Sequence, residues 1–308
     1  MYPQVSEPKT EISSQAVVKP GKNGLKRWMK FLLRSYTGTV GMVIVLTVIL
    51  VSIFADVLAP HDPNLINAAA MQKPPFWLEG GSTEHLLGTD NLGRDMLSRI
   101  IHGSQISLLV GIAAVLLAGA IGVVVGLVAG FYGGILDNIL MRLVDSFLAI
   151  PTILFALVIL TIFGPSVTTL IVVLGVTNWV QYARVIRGEV LSIKEREFVK
   201  AARSIGVRNS MIIRQHVLPN VISPFIVIST LSVATTIIME ASLSFLGLGI
   251  QPPTISWGGI LSDGRDYLAT SWWLSTFPGI AITITVLGII FVGDWLRDVL
   301  DPRSFSRK

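Results

Sequence analysis

The sequence predicts an all-α integral membrane protein with six transmembrane helices and both termini in the cytoplasm, and three observations carry that prediction. Hydrophobic residues make up 52% of the 308 positions and charged residues only 14%, against about 25% charged in soluble domains. Six stretches stay apolar over the roughly 20 residues that a helix needs to cross the hydrocarbon core. Lysine and arginine fall mostly in every second connection, the asymmetry that orients membrane proteins. This composition excludes an ordinary soluble enzyme, a disordered chain and a collagen. With no cysteine, disulfides, thiolate zinc sites, iron–sulfur clusters and cysteine nucleophiles are excluded as well.

Residues 1–38 are polar and basic without an early apolar run, so they read as a cytoplasmic tail rather than a cleavable signal peptide. The first transmembrane helix is expected at 39–58, with Asp56 its one charge, followed by an external loop at 59–105. A five-helix core at 106–296 comes next, and a cytoplasmic tail at 297–308 ends the chain. Within the core, 106–130, 165–183 and 273–293 carry no charge, 143–163 carries only Asp145, and 221–250 carries only Glu240. Continuous apolar runs favour helices, since barrel strands alternate over about ten residues. Pro151 and Pro224 each remove a helical hydrogen bond, so kinks or helix starts are expected there. Ala118, Gly122, Gly126 and Gly130 recur every four residues and predict a face for close helix packing.

Six spans fix which connections share a side. Residues 1–38 hold seven basic residues, 184–220 hold eight, 294–308 hold four and Arg142 adds one, which places 20 of the 24 on the cytoplasmic side. The external connections, 59–105 and 251–272, hold three and one. The net charge of +5 is thereby assigned to the membrane boundary, where lipid is the partner, and no nucleic-acid face is needed.

Glu240 stands among uncharged residues, where a lone charge costs roughly 2.5–3.5 kcal/mol, so it must face protein or water. Two readings stay open: a contact for the cationic end of a substrate in the passage, or a neutralised or paired carboxyl between helices. Asp145 is a second candidate for the pathway, although Arg142 one turn earlier predicts a local ion pair instead. Asp90, Arg94 and Asp95 read as a structural salt-bridge cluster. The histidines at 61, 85, 102 and 216 lack paired metal spacing, so no metal is expected. Trp257, Trp272 and Trp273 fit an interfacial aromatic belt.

The most informative stretch is the cytoplasmic loop at 184–220. Ser192 with Glu195 three residues later spells a capping box. Ile193, Phe198, Ala201, Ala202 and Ile205 then share one side, while Lys194, Glu197, Lys200 and Arg203 are left for solvent. Gly206 suits the left-handed stop of a helix. A second short helix is expected from about 209 to 217, with Pro219 marking the start of the fifth span. A helix lying on the lipid surface would use similar residues.

Lys200, Ala201, Ala202, three residues, Gly206, nine residues, His216, Val217, Leu218 and Pro219 resemble the EAA loop of binding-protein-dependent ABC importer permeases. Lys200 stands where that pattern has Glu, and His216 where it has Ile. The segments LAPHDPN at 58–64, LGTDNLGRDMLSRI at 87–100, ASLSFLGLGIQPPTISWGGIL at 241–261 and GDWLRDVLDPR at 293–303 resemble one branch. It is the second, C-type permease subunit of dipeptide and oligopeptide importers, which also includes nickel, glutathione and opine systems.

The resemblance implies a type I ABC importer permease fold in a bacterial inner membrane. It implies a heterodimer with a homologous permease, two cytoplasmic ATPase subunits that bind ATP and Mg, an external solute-binding protein and a peptide substrate. Lys200, Ala201, Ala202, Gly206, Leu218 and Pro219 would form the coupling helix that docks on an ATPase. The chain lacks the Gly, four residues, Gly, Lys, Ser or Thr phosphate loop, so no cofactor is expected in this subunit and energy must come from a partner or a gradient. A proton-coupled carrier using Glu240 and Asp145, or an intramembrane enzyme or channel, are the rival readings.

Overall fold

The computed structural model describes residues 35–300; most of the two expected tails, 1–34 and 301–308, lies outside the described residues. Among those described, the architecture is helical throughout, with a single isolated bridge between Thr89 and Asp95. The helices are α1 (Tyr36–Ile53), α2 (Met96–Tyr132), α3 (Gly134–Leu148), α4 (Thr152–Phe163) and α5 (Val167–Lys194). They continue with α6 (Glu197–Ser204), α7 (Leu218–Leu243), α8 (Trp257–Gly264) and α9 (Trp273–Leu300).

The centre of the fold is the pairing of α2 with α5, and the glycine stripe is the reason. A side chain on Gly126 would come within 2.7 Å of the Ala183 carbonyl, and one on Gly130 within 2.8 Å of Val190 Cβ. Only hydrogen in those positions lets two backbones approach so closely. The register also gives direction: Gly175 meets Leu117, Gly126 meets Ile186, and Gly130 meets Val190. Residue numbers rise together, so α2 and α5 run parallel.

Parallel neighbours require the intervening chain to return across the membrane. That return is made by α3 and α4 together, which bend by 82° at their junction. The twelve residues of α4 reach only about 18 Å at 1.5 Å per residue. The expected single span at 143–163 is therefore corrected to a broken one. Pro151 ends the first piece and caps the second, as its fixed φ and missing N–H dictate. With this pair counted once, the candidate spans among the described residues number six, the number expected from the sequence. Two ion pairs hold α3 against α5, Arg187 gripping Asp137 through both carboxylate oxygens at 2.6 and 2.7 Å and Arg184 reaching Asp145 at 2.6 Å.

Pro224, by contrast, is carried inside α7 without ending it. The first span lies at Tyr36–Ile53 and rests on α9. Gly41 fits against Phe291, where an added side chain would lie 2.6 Å from Phe291 Cβ. Towards the outside, Met96, Leu108, Ile237, Trp257, Ile260, Trp273 and Leu274 form one buried cluster among α2, α7, α8 and α9. Trp257 and Trp273 are thus core residues rather than members of an interfacial belt, and each indole N–H is used: Trp257 donates to the Ile100 carbonyl at 2.8 Å and Trp273 to that of Thr89 at 3.2 Å. Trp272 alone of the three is exposed.

Candidate functional site: the cytoplasmic helix and its anchors

The capping box expected at Ser192 does not form. α5 continues to Lys194 because Val190 and Ile193 keep finding apolar partners in one buried cluster, which leaves Ser192 inside a helix. The chain turns at Glu195 and Arg196, and α6 begins with Arg196 as a cap without a side-chain hydrogen bond.

Eight residues are too few for an isolated helix to be stable, so tertiary packing must hold α6. Val199 and Ala202, one turn apart, are buried against Phe131 of α2, Ile186, Val190 and Ile193 of α5, and Ile212, Val217 and Val221 at the head of α7. Of the apolar side expected from the sequence, only Ile193 and Ala202 face inward. Phe198, Ala201 and Ile205 face outward, Ile205 with 81% of its surface open. Val199, buried but outside that expected side, is marked in the sequence only by its three-residue spacing from Ala202.

The stop after α6 is a Schellman motif: Val207 N–H donates to the Ala202 carbonyl and Gly206 N–H to that of Arg203, both at 3.1 Å. Gly206 has φ +80°, a conformation that a Cβ disfavours. Lys200 pairs with Glu195 at 2.9 Å. The Arg203 guanidinium lies over the Phe131 ring at 5.5 Å, and the Phe198 and His216 rings stand 5.8 Å apart.

The expected second short helix is not separate. Asn209–Ile212 leads through a π-helical turn, Ile213–Val217, directly into α7, making a helical stretch from Asn209 to Leu248. Leu218 N–H donates five residues back to the Ile213 carbonyl. The wide turn suits Pro219, which cannot donate to the carbonyl four residues earlier and whose ring would crowd it in an α-helix. Leu218 and Pro219 therefore lie within one continuous helical stretch.

The two pathway candidates come to rest in different surroundings. Asp145 pairs with Arg184 across the helix interface, not with Arg142, and both side chains are more than half exposed. Glu240 is enclosed, with 1% of its surface open. Its Oε1 accepts hydrogen bonds from Ser244 and Ser256, each at 2.9 Å, so in this conformation it ties α7 to the segment before α8 and does not open onto a passage. A cavity of about 600 Å³ does lie on the cytoplasmic side, with Glu189, Arg196, Ser223, Pro224 and Arg297 in its wall. Its residues come from α5, α7, α9 and the turn before α6, a convergence that no local pattern signals.

Outside, Asp90 receives Arg94 at 2.6 Å and Arg99 at 3.0 Å, and Arg99 also reaches Asp263 at 3.0 Å. Of the cluster expected at Asp90, Arg94 and Asp95, the first two form it with Arg99 and Asp263 as further partners, whereas Asp95 stands apart, capping α2 through Ser98 and facing His85. The histidines lack paired spacing along the chain, yet the fold brings the rings of His61 and His85 to 4.9 Å of one another.

Comparison with known proteins agrees with this geometry. Residues 122–306 match the family described as binding-protein-dependent transport system inner membrane component, and residues 25–75 match the N-terminal TM domain of oligopeptide transport permease C. The Di/tripeptide transport system permease protein DppC of Pseudomonas aeruginosa (strain UCBPP-PA14) is 41% identical over 85% of this chain and 87% of its own length. The Dipeptide transport system permease protein DppC of Escherichia coli (strain K12) is 42% identical over 97% of this chain and 98% of its own. A solved structure of the MetNI methionine ABC transporter in an inward-facing conformation superposes with a TM-score of 0.54 at 21% identity, covering 67% of this chain and 98% of that one; this likeness concerns the fold. Six crossings, a cytoplasmic helix packed on three of them and matches spanning nearly the whole chain lead to one assignment: this chain belongs to the binding-protein-dependent transport family, as an inner-membrane permease subunit of an ABC importer that leaves ATP hydrolysis to separate subunits.

Proposed function

We propose that this subunit forms half of the passage of an ATP-driven importer for dipeptides or oligopeptides. It pairs with a homologous permease, the pair docks two cytoplasmic ATPase subunits that bind ATP and Mg, and an external solute-binding protein delivers the cargo. Relatives named for di/tripeptide and dipeptide transport at 41% and 42% identity support peptide as the cargo class.

One observation carries the coupling role. α6 turns Val199 and Ala202 into the joint ends of α2, α5 and α7, yet leaves Phe198, Ala201, Ile205 and Met211 exposed to the cytoplasm. An apolar face kept open on a rigidly anchored helix is a place for a protein partner. Ala201 permits close approach, Lys200 supplies a charge at its rim, and Gly206 ends the docking helix. A push on this face moves α2, α5 and α7 together, because Leu218 and Pro219 lie within the continuous helical stretch that runs into α7. Motion of the ATPase pair would thus open and close the cavity bordered by Glu189 and Arg297.

The chain has no cysteine, so an Ala201→Cys variant gives one reactive thiol. Crosslinks from it to an ATPase subunit in the assembled complex, with dipeptide uptake in proteoliposomes that follows ATP, are the expected results. Uptake that follows the proton gradient alone, or a thiol that never reaches an ATPase subunit, overturns the proposal.

A further inference from the structure

We propose that the external face of this chain holds a divalent transition-metal site of the zinc class, built by His61, His85 and Asp95. The three residues lie in separate segments: His61 just after α1, His85 in the long external connection, and Asp95 as the N-cap of α2. Among the described residues they form a group in which one ligand atom from each lies within 4.8 Å of the others.

The spacing suits a small ion. A tetrahedral centre with bonds of about 2.0–2.1 Å sets its donors roughly 3.3 Å apart. Asp95 Oδ1 stands 3.0 Å from His85 Nδ1 and 3.8 Å from His61 Nδ1, distances that bracket that value. A hydrogen bond between His85 and Asp95 accounts for the shorter contact and leaves Nδ1 of His61 buried with no partner. An ion between the three groups takes up that lone pair.

The surroundings fix the donors in place. Asp95 divides its two oxygens: Oδ2 accepts from Ser98 N–H at 2.8 Å and from Ser98 Oγ at 2.7 Å, while Oδ1 is turned to the imidazoles. Ser98 Oγ also accepts the backbone N–H of His61 at 3.1 Å. One serine thus orients both the carboxylate and the segment carrying the first histidine, the kind of outer support that tunes ligand sites. Side-chain exposure falls from 29% at His61 to 6% at His85 and 1% at Asp95. The exposed flank leaves a coordination position for water.

Two imidazoles and one carboxylate favour zinc or its borderline neighbours. Calcium and magnesium prefer sets of oxygen donors, and the absence of thiolates disfavours Cu(I). A bound ion would clip the external connection at two points to the head of α2. Because it binds only the folded arrangement, it would stabilise that arrangement in proportion to its occupancy. The argument is independent of the cargo and of the coupling role.

The test uses the whole transporter, purified through a tag without histidine, stripped with chelator and titrated with Zn²⁺ and with Co²⁺. Wild type is expected to bind one more zinc per complex than His61→Ala or His85→Ala, with affinity lowered by more than about tenfold in either variant, the scale on which even an outer-support loss registers. His216→Ala, on the other side of the membrane, should bind like wild type. The cobalt form should show the visible absorption of tetrahedral coordination, lost in the same two variants. Should the buried His85 variant fail to assemble, the more exposed His61 variant still decides. Equal zinc content in His61→Ala and wild type, or no zinc retained by either, overturns the site.

Discussion

The guanidinium of Arg203 lies 5.5 Å from the centre of the Phe131 ring, which fastens the cytoplasmic helix α6 to the last turn of α2. Cation–π contacts of this kind contribute about 0.5–1 kcal/mol at exposed sites and more when desolvated, and Phe131 is itself buried. Arg203→Ala should loosen α6 while leaving the membrane helices in place. The expected outcome is a lower ratio of peptide taken up to ATP hydrolysed in proteoliposomes. Phe131→Leu should lower the same ratio, and the double variant should fall no further than the worse single one.

Lys200 and Glu195 form a second fastening with a pH signature. The hydrogen bond from Lys200, then the charge of its ammonium, holds the Glu195 carboxyl below the usual carboxylate range. A depressed folded value means the pair's contribution is complete above the ordinary carboxylate pKa and fades as pH falls through the folded one. Amide exchange in Glu197–Ser204 should therefore respond to this pair only in acid, with nothing lost between neutral and mildly acidic pH. Lys200→Glu, which restores the residue of the EAA pattern, sets two carboxylates together and should raise exchange of those amides at neutral pH. Equal exchange in both forms would remove the pair from the account.

Gly126 is set where α2 and α5 meet, with backbone on one side and Ile186 on the other. Gly126→Leu should destabilise the packed state by about 1–3 kcal/mol, the usual cost of overpacking, or by more because backbone cannot give way. Gly188, inside α5, has nothing within 4 Å of an added Cβ, so Gly188→Ala should stabilise slightly, by about 0.5–1 kcal/mol. Thermal unfolding of the detergent-solubilised complex distinguishes them.

Glu240 accepts from Ser244 and Ser256 and is enclosed. Glu240→Gln keeps an acceptor in place and should retain assembly and most uptake. Glu240→Leu strands two buried hydroxyls, at about 1–3 kcal/mol each, and should lower the yield of folded complex. Loss of uptake in a fully assembled Glu240→Gln variant would return this carboxylate to the passage.

The sequence by itself determined where the chain lies in the membrane and which side each connection faces. Apolar length and basic charge are local properties, and they answer to the bilayer rather than to other residues. It also determined the glycine stripe on α2 and the stop at Gly206, because both follow from having no side chain at a given spacing. Only the tertiary structure decided which way each span turns. Hydropathy carries no rotation, since lipid and protein interior are equally apolar to a leucine. Hence the choice of Arg184 over Arg142 as the partner of Asp145 and the enclosure of Glu240 depended on how neighbouring helices pack, whereas the break at Pro151 was already legible in its fixed φ. His61, His85 and Asp95 illustrate the same limit: they are separated along the chain, and they meet only because the external connection folds back onto the head of α2.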